Sequence, residues 1–109
     1  SAYEQKAVEY LKNHGYKIVR QNYFCSYGEI DIIAKKDNII VFVEVKYRKS
    51  SKSGLGESAV NKNKQIHIIN SAKNYMAEIY KTDELPCRFD VIAINGNLLH
   101  HIENAFDGC

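Results

Sequence analysis

Three charged residues stand where buried strands should be apolar: Asp31 in the run 29–34, and Glu44 and Lys46 in the run 39–47. The second run reads Ile39-Ile40-Val41-Phe42-Val43-Glu44-Val45, apolar on both faces as a central strand must be. If Asp37-Asn38 forms a two-residue turn, Lys36 faces Ile39 and Asp31 falls directly opposite Glu44. Alternation puts Asp31 on one face with Glu29 and Ile33, and Glu44 on one face with Ile40, Phe42 and Lys46. Opposed side chains in an antiparallel pair have Cβ atoms about 4.5–5.5 Å apart, where like charges repel. A divalent cation would remove that repulsion, because Mg²⁺ takes one or two carboxylates together with waters and phosphate oxygens. Such an ion polarises a phosphoryl oxygen and acidifies a water. Lys46 could orient that water or hold the developing negative charge, and the Val45 carbonyl offers a further ligand. The other reading is a surface ion-pair cluster of Glu29 and Asp31 with Lys46. Spacing alone leaves both open.

Residues on two expected helices converge on the same place. Residues 3–14 read as a helix, with Tyr3, Ala7, Val8, Leu11 and His14 at helical spacing and Gly15 closing it. Glu4 lies at the end of that apolar stripe, whereas Glu9 points to solvent. A long helix over 58–80 carries Ile68, Ala72, Tyr75, Met76 and Ile79 on one face, with Lys64 and Gln65 at the N-terminal end of that line. A helix start bearing Lys and Gln can contact a phosphate. Taken singly, Gln65 is equally a core-edge amide and Lys64 a side chain laid over apolar surface.

The elements that must position these groups follow from the rest of the pattern. Strands are expected at 17–23, 29–34, 39–47, 89–94 and 98–102, with 50–56 a Ser/Lys/Gly loop and Asn95-Gly96 a hairpin turn. The order α-β-β-β-α-β-β describes one mixed sheet with helices free to cover it, in a chain of 109 residues that has room for a single domain. No apolar run approaches the ~20 residues that span a bilayer, and Ser1–Lys6 lacks the hydrophobic core of a signal peptide. Cys25, Cys87 and Cys109 are odd in number and at no metal-like spacing, so neither a disulfide framework nor a zinc site is expected and a reducing cytoplasm is the default. The net charge is only +2, but the segment 46–64 holds Lys46, Arg48, Lys49, Lys52, Lys62 and Lys64 against the single acid Glu57. A basic stretch on an acidic body suits a phosphate-rich partner; a solvated Lys/Ser loop is the alternative. Asp90, after Arg88-Phe89, is expected to be structural, and His100 and His101 point to opposite faces of one strand.

Taken together these residues resemble the YraN-like family of small predicted endonucleases, related to archaeal Holliday-junction resolvases within the PD-(D/E)XK nuclease superfamily. The resemblance rests on Glu4 with Ala7, Tyr10 and Leu11; Gly15-Tyr16; Gly28-Glu29-Ile30-Asp31-Ile32-Ile33-Ala34; Val41-Phe42-Val43-Glu44-Val45-Lys46 with Arg48; Ala59-Val60; Lys64; Arg88-Phe89-Asp90-Val91; and Ala105-Phe106. It departs at Tyr3, where relatives carry Gly. The resemblance implies a restriction-endonuclease-like α-β-β-β-α-β core, an α/β fold with a mixed central sheet flanked by helices and a C-terminal hairpin strand. It implies Asp31 and Glu44 as ligands of Mg²⁺ or Mn²⁺, Lys46 as the catalytic lysine and Glu4 as an auxiliary carboxylate. The substrate it implies is nucleic acid, most naturally branched or structured DNA. Arg48, Lys49, Lys52, Lys62, Lys64 and Gln65 would then track the backbone, and symmetric cleavage of a junction would call for a homodimer. A non-catalytic nucleic-acid-binding module with the same fold, and an RNA-directed nuclease, are the alternatives.

Overall fold

The computed structural model describes residues 1–48 and 60–109. Its elements run α1 (Ala2–Asn13), β1 (Lys17–Cys25), β2 (Gly28–Lys36), β3 (Ile39–Tyr47), α2 (Lys62–Tyr80), β4 (Cys87–Asn95) and β5 (Leu98–Phe106). The strands form one five-stranded sheet in the order β1-β2-β3-β4-β5. Only β3 and β4 are parallel, the pair joined through α2; the other neighbours are antiparallel hairpins. The mixed α/β sheet expected from the sequence is therefore present, and no helix among the described residues is long and apolar enough to cross a membrane.

Each face of the sheet carries its own core. On one, Ile33, Ile40, Phe42, Phe89 and Val91 pack with Ile68, Ala72, Tyr75 and Met76 of α2. On the other, Ile32, Ala34, Val41, Val43, Ile92 and Ile94 pack with Ala7, Val8 and Leu11 of α1. β3 is buried on both sides, as its uninterrupted apolar run demanded. The β2–β3 turn is Asp37-Asn38, with both residues at positive φ (52° and 65°), the conformation a two-residue hairpin requires and short polar side chains tolerate.

Three details differ from the sequence reading. The described part of α2 begins at Lys62, because Asn61 is extended and its side chain accepts the Lys64 N–H at 2.9 Å; the expected start at residue 58 lies outside the described residues. Ile79 is 53% exposed, since Tyr80 turns onto the core in its place and meets Tyr75 edge-on at 6.3 Å. Cys87 and Cys109 are joined as a disulfide with Cα atoms 5.6 Å apart, against the expectation of none. The chain after β5 lies close over α2 and β4, where a Cβ on Gly108 would come within 2.6 Å of Ile69 and 2.8 Å of Phe89. Gly108 thus suits the tight path beside the disulfide, where a side chain would press on Ile69 and Phe89. The expected loop 50–56, with Lys49 and Lys52, lies outside the described residues.

Candidate metal and phosphate site

The β2–β3 ladder runs from Lys36↔Ile39 to Ile32↔Val43 in the register that the two-residue turn dictates. One step further Asp31 would face Glu44, and there the strands part. The Asp31 carboxylate enters the gap and accepts the Val45 N–H at 2.8 Å. Alternation is broken here as well: Ile30 buries on the α2 side with Ile33, yet Ile32 buries on the α1 side. Across from Asp31 on β1, Asn22 adopts φ 52°. The neighbouring strands thus share one irregularity, and it aims a side-chain oxygen where a ladder carbonyl would otherwise lie.

Glu44 projects on the α2 side, with its side chain only 13% exposed and Lys64 Nζ 3.6 Å from Oε2. Burial first, then the charge and hydrogen-bonding reach of Asp31, push its carboxyl well above the ordinary range, to about 8; Lys64 only partly opposes this. Two carboxylates therefore meet at a desolvated sheet end without enough positive charge to hold both ionised. The acidic field extends further. Burial and the charges of Asp31 and Glu4 raise the Glu29 carboxyl, with Lys64 again opposing. Glu4 reaches this neighbourhood from the first turn of α1.

The donor chemistry fits a hard divalent cation. Asp31 and Glu44 supply carboxylate oxygens, and the Val45 carbonyl projects to the same side of β3 as its N–H, beyond the last ladder pair. Oxygen donors without Cys or His favour Mg²⁺ or Mn²⁺ over zinc. Among the described residues no group of three or more His, Cys, Asp or Glu gathers to hold a metal, so such an ion would take two carboxylates and complete its shell elsewhere.

The family described as uncharacterised protein family UPF0102 matches residues 3–94 of this chain. The chain belongs to the UPF0102 family. A UPF0102 protein of Thermodesulfovibrio yellowstonii is 50% identical over 103 residues, covering 94% of this chain and 90% of that one. One from Sulfurihydrogenibium sp. strain YO3AOP1 is 47% identical over 104 residues, at 95% and 90% coverage. One from Legionella pneumophila strain Philadelphia 1 is 42% identical over 109 residues, at 97% and 92%. Family membership, the coarse part of the sequence resemblance, is thereby established.

Within this UPF0102 chain the fold gathers Asp31, Glu44, Val45 and Lys64 at one end of the sheet, with Glu4 electrostatically linked to them through Glu29. Lys46 follows Glu44 by two residues in β3, and the Arg48 N–H donates to the Ile94 carbonyl at 2.9 Å. The Gln65 amide donates to the Val60 carbonyl at 2.8 Å and so braces the entry to α2. Lys62 is exposed in the first turn of that helix. Sequence reasoning missed a second polar centre. Asp90 is buried and takes a two-pronged pair of hydrogen bonds from Arg88, each 2.8 Å, and the Asn104 N–H at 3.0 Å. His101 Nε2 lies 2.7 Å from Asp90, and its Nδ1 lies 3.2 Å from the Tyr10 hydroxyl. A structural role for Asp90 was expected; the Asn104 N–H contact comes from an irregularity in β5 around Asn104 (φ 52°) that composition does not announce, while His101, across from Ile92, reaches Asp90 from the regular ladder.

Proposed function

We propose that this chain is a divalent-metal-dependent endonuclease that hydrolyses DNA phosphodiester bonds, with its sheet and helices forming a restriction-endonuclease-like core. The observation that carries the reading is the apposition of Asp31 and Glu44 where the ladder opens, with the Glu44 carboxyl raised for want of a countercharge. A structural role offers no reason to keep two such groups together, since an amide at either position would relieve the conflict at constant volume.

In this reading Asp31, Glu44 and the Val45 carbonyl hold Mg²⁺ or Mn²⁺. When bound, the ion supplies positive charge for a phosphoryl oxygen and acidifies a water. The Val45 N–H fixes Asp31 in the orientation needed for binding. Lys46, two residues after Glu44 in β3, would hold the attacking water and the charge that builds on phosphate oxygens. Lys64, now 3.6 Å from Glu44, would be free to contact a phosphate if Glu44 instead held a cation. A water oxygen would attack phosphorus in line with the leaving ester oxygen, releasing one proton to solvent as the new P–O bond forms; the P–O bond to the leaving oxygen breaks, and that oxygen collects a proton from solvent. Arg48 and Lys62, with Lys49 and Lys52 from the stretch outside the described residues, follow the backbone and read no sequence.

The test is nicking of branched DNA in Mg²⁺ by wild type, Asp31→Asn and Glu44→Gln. Both variants should lose detectable nicking, a fall of at least about 10²-fold, while retaining DNA binding. Full activity in excess chelator would overturn the reading, and binding without cleavage in Mg²⁺ or Mn²⁺ would leave a non-catalytic binding module.

A further inference from the structure

The chain has eight Tyr and four Phe, and nearly all are at least partly buried. Three are not: Phe24 is 69% exposed, Tyr27 50% and Tyr47 46%. All three lie at the end of the sheet that carries the carboxylates. Phe24 pairs directly across from Glu29, two residues before Asp31. Tyr27 occupies the two-residue turn between Cys25 and Gly28. Tyr47 ends β3, three residues after Glu44.

Their exposure is not explained by packing. Burying a Phe side chain is worth about 1.5–3 kcal/mol, and Phe24 forgoes most of that while its neighbour Tyr23 is buried against α2. A turn tip favours Gly, Asn or Asp for conformational reasons, and the Tyr27 ring contributes no buried surface to the core clusters. The hairpin tip is nevertheless braced, since a Cβ on Gly28 would lie 3.7 Å from His67 Cβ and 3.8 Å from Ser71 Oγ of α2. Tyr47 is held too, because one face of its ring stacks on Tyr3 at 5.1 Å and 19°. Exposed rings at the sheet end where Lys64 acts on Glu29, the residue across from Phe24, have the character of a stacking platform. Every base has a π-face, so such rings accept unpaired nucleotides of any sequence while cations hold the backbone.

We propose that Phe24, Tyr27 and Tyr47 stack on unpaired bases, so that the substrate is DNA whose nucleotides beside the scissile phosphate lie outside the duplex. This rests on the nuclease reading above and names its substrate class. A ring in continuous duplex finds only paired, already stacked bases, and the platform gains nothing from it.

The experiment measures affinity in chelator for two oligonucleotides of equal length and salt. One is a continuous duplex; the other carries three unpaired thymines flanked by 2-aminopurine. Wild type should bind the second more tightly and quench its fluorescence. Phe24→Ala with Tyr27→Ala should weaken that binding about tenfold or more, leave duplex affinity within about twofold, and abolish quenching. Phe24→Leu keeps apolar bulk without a π-face and should behave like the alanine variant, whereas Leu98→Ala, 64% exposed at the same sheet end, should change nothing. Equal affinity of wild type for both oligonucleotides, or an unchanged preference in the double variant, overturns the platform. Nicking by Glu44→Gln at the wild-type rate overturns the nuclease reading instead, so the two failures are separable. Wild type that binds neither oligonucleotide overturns both.

Discussion

Glu44 and Asp90 sit on adjacent strands one register step apart, on opposite faces of the same sheet. Both are desolvated carboxylates, and their surroundings treat them in opposite ways. For Asp90, burial alone would raise the carboxyl, but hydrogen bonds from His101, Arg88 and the Asn104 N–H outweigh it and hold the group below its ordinary value. The same contacts raise the Arg88 guanidinium, its bond to Asp90 first among them. For Glu44, burial is reinforced by Asp31, and Lys64 at 3.6 Å is 46% exposed and only partly compensates. One face keeps a carboxylate by satisfying it; the other keeps a carboxylate short of charge. On the nuclease proposal, that contrast separates a group retained for the fold from one retained for a ligand.

The comparison breaks most visibly at Asp90. Asp90→Ala leaves Arg88 with Tyr16 and Glu103 but strips the Asn104 N–H and His101 of their acceptor. A loss of about 3–5 kcal/mol is expected, as for other buried pairs deprived of one partner, read from denaturant midpoints at neutral pH. A loss under about 1 kcal/mol would mean that the network is ornamental.

At Glu44 the sign reverses. Glu44→Gln should make the metal-free protein more stable by about 0.5–2 kcal/mol at pH 8, the scale of a relieved functional-site conflict. Because the folded carboxyl is raised, folded wild type holds a proton that the unfolded chain has released. Wild-type stability from this group is present below the ordinary carboxylate range and is lost as pH rises toward about 8. The advantage of the glutamine variant should therefore shrink from pH 8 to pH 5. Added Mg²⁺ should stabilise wild type more than Glu44→Gln by the mass-action term of a folded-state ligand. Equal shifts of both midpoints would show that the carboxylates share no cation.

The smallest effect belongs to Lys64. Its side chain is half in solvent, so Lys64→Ala should cost less than about 1 kcal/mol. The same change removes the charge that lowers Glu44, and the pH-dependent part of the wild-type melting profile should move to higher pH. A profile that stays in place would assign the compensation to another cation.

Much of this was readable from residue order. The doubly apolar run of β3, the Asp37-Asn38 turn and the helical stripes sufficed for the sheet order of the hairpins, and the turn length alone brought Asp31 to the level of Glu44. Less readable were features made by side chains acting on backbone. Asn61 caps α2 before the periodic stripe suggests, and Gly108 admits the Cys87–Cys109 pairing through a close approach that no spacing rule encodes.

Local pattern determines period, face and turn, because these depend on neighbours along the chain. It therefore determined that this protein builds a mixed sheet, and it carried the hairpin register as far as Ile32 and Val43, one step short of Asp31 and Glu44. How each carboxylate is compensated depends on groups far apart in sequence: His101, itself met by Tyr10, reaches Asp90, while Lys64 leans on Glu44 from a half-exposed helix turn. Burial and charge balance are properties of the assembled core. Only the tertiary structure decided that Asp90 is satisfied by the fold and that Glu44, beside Asp31, is left short of countercharge.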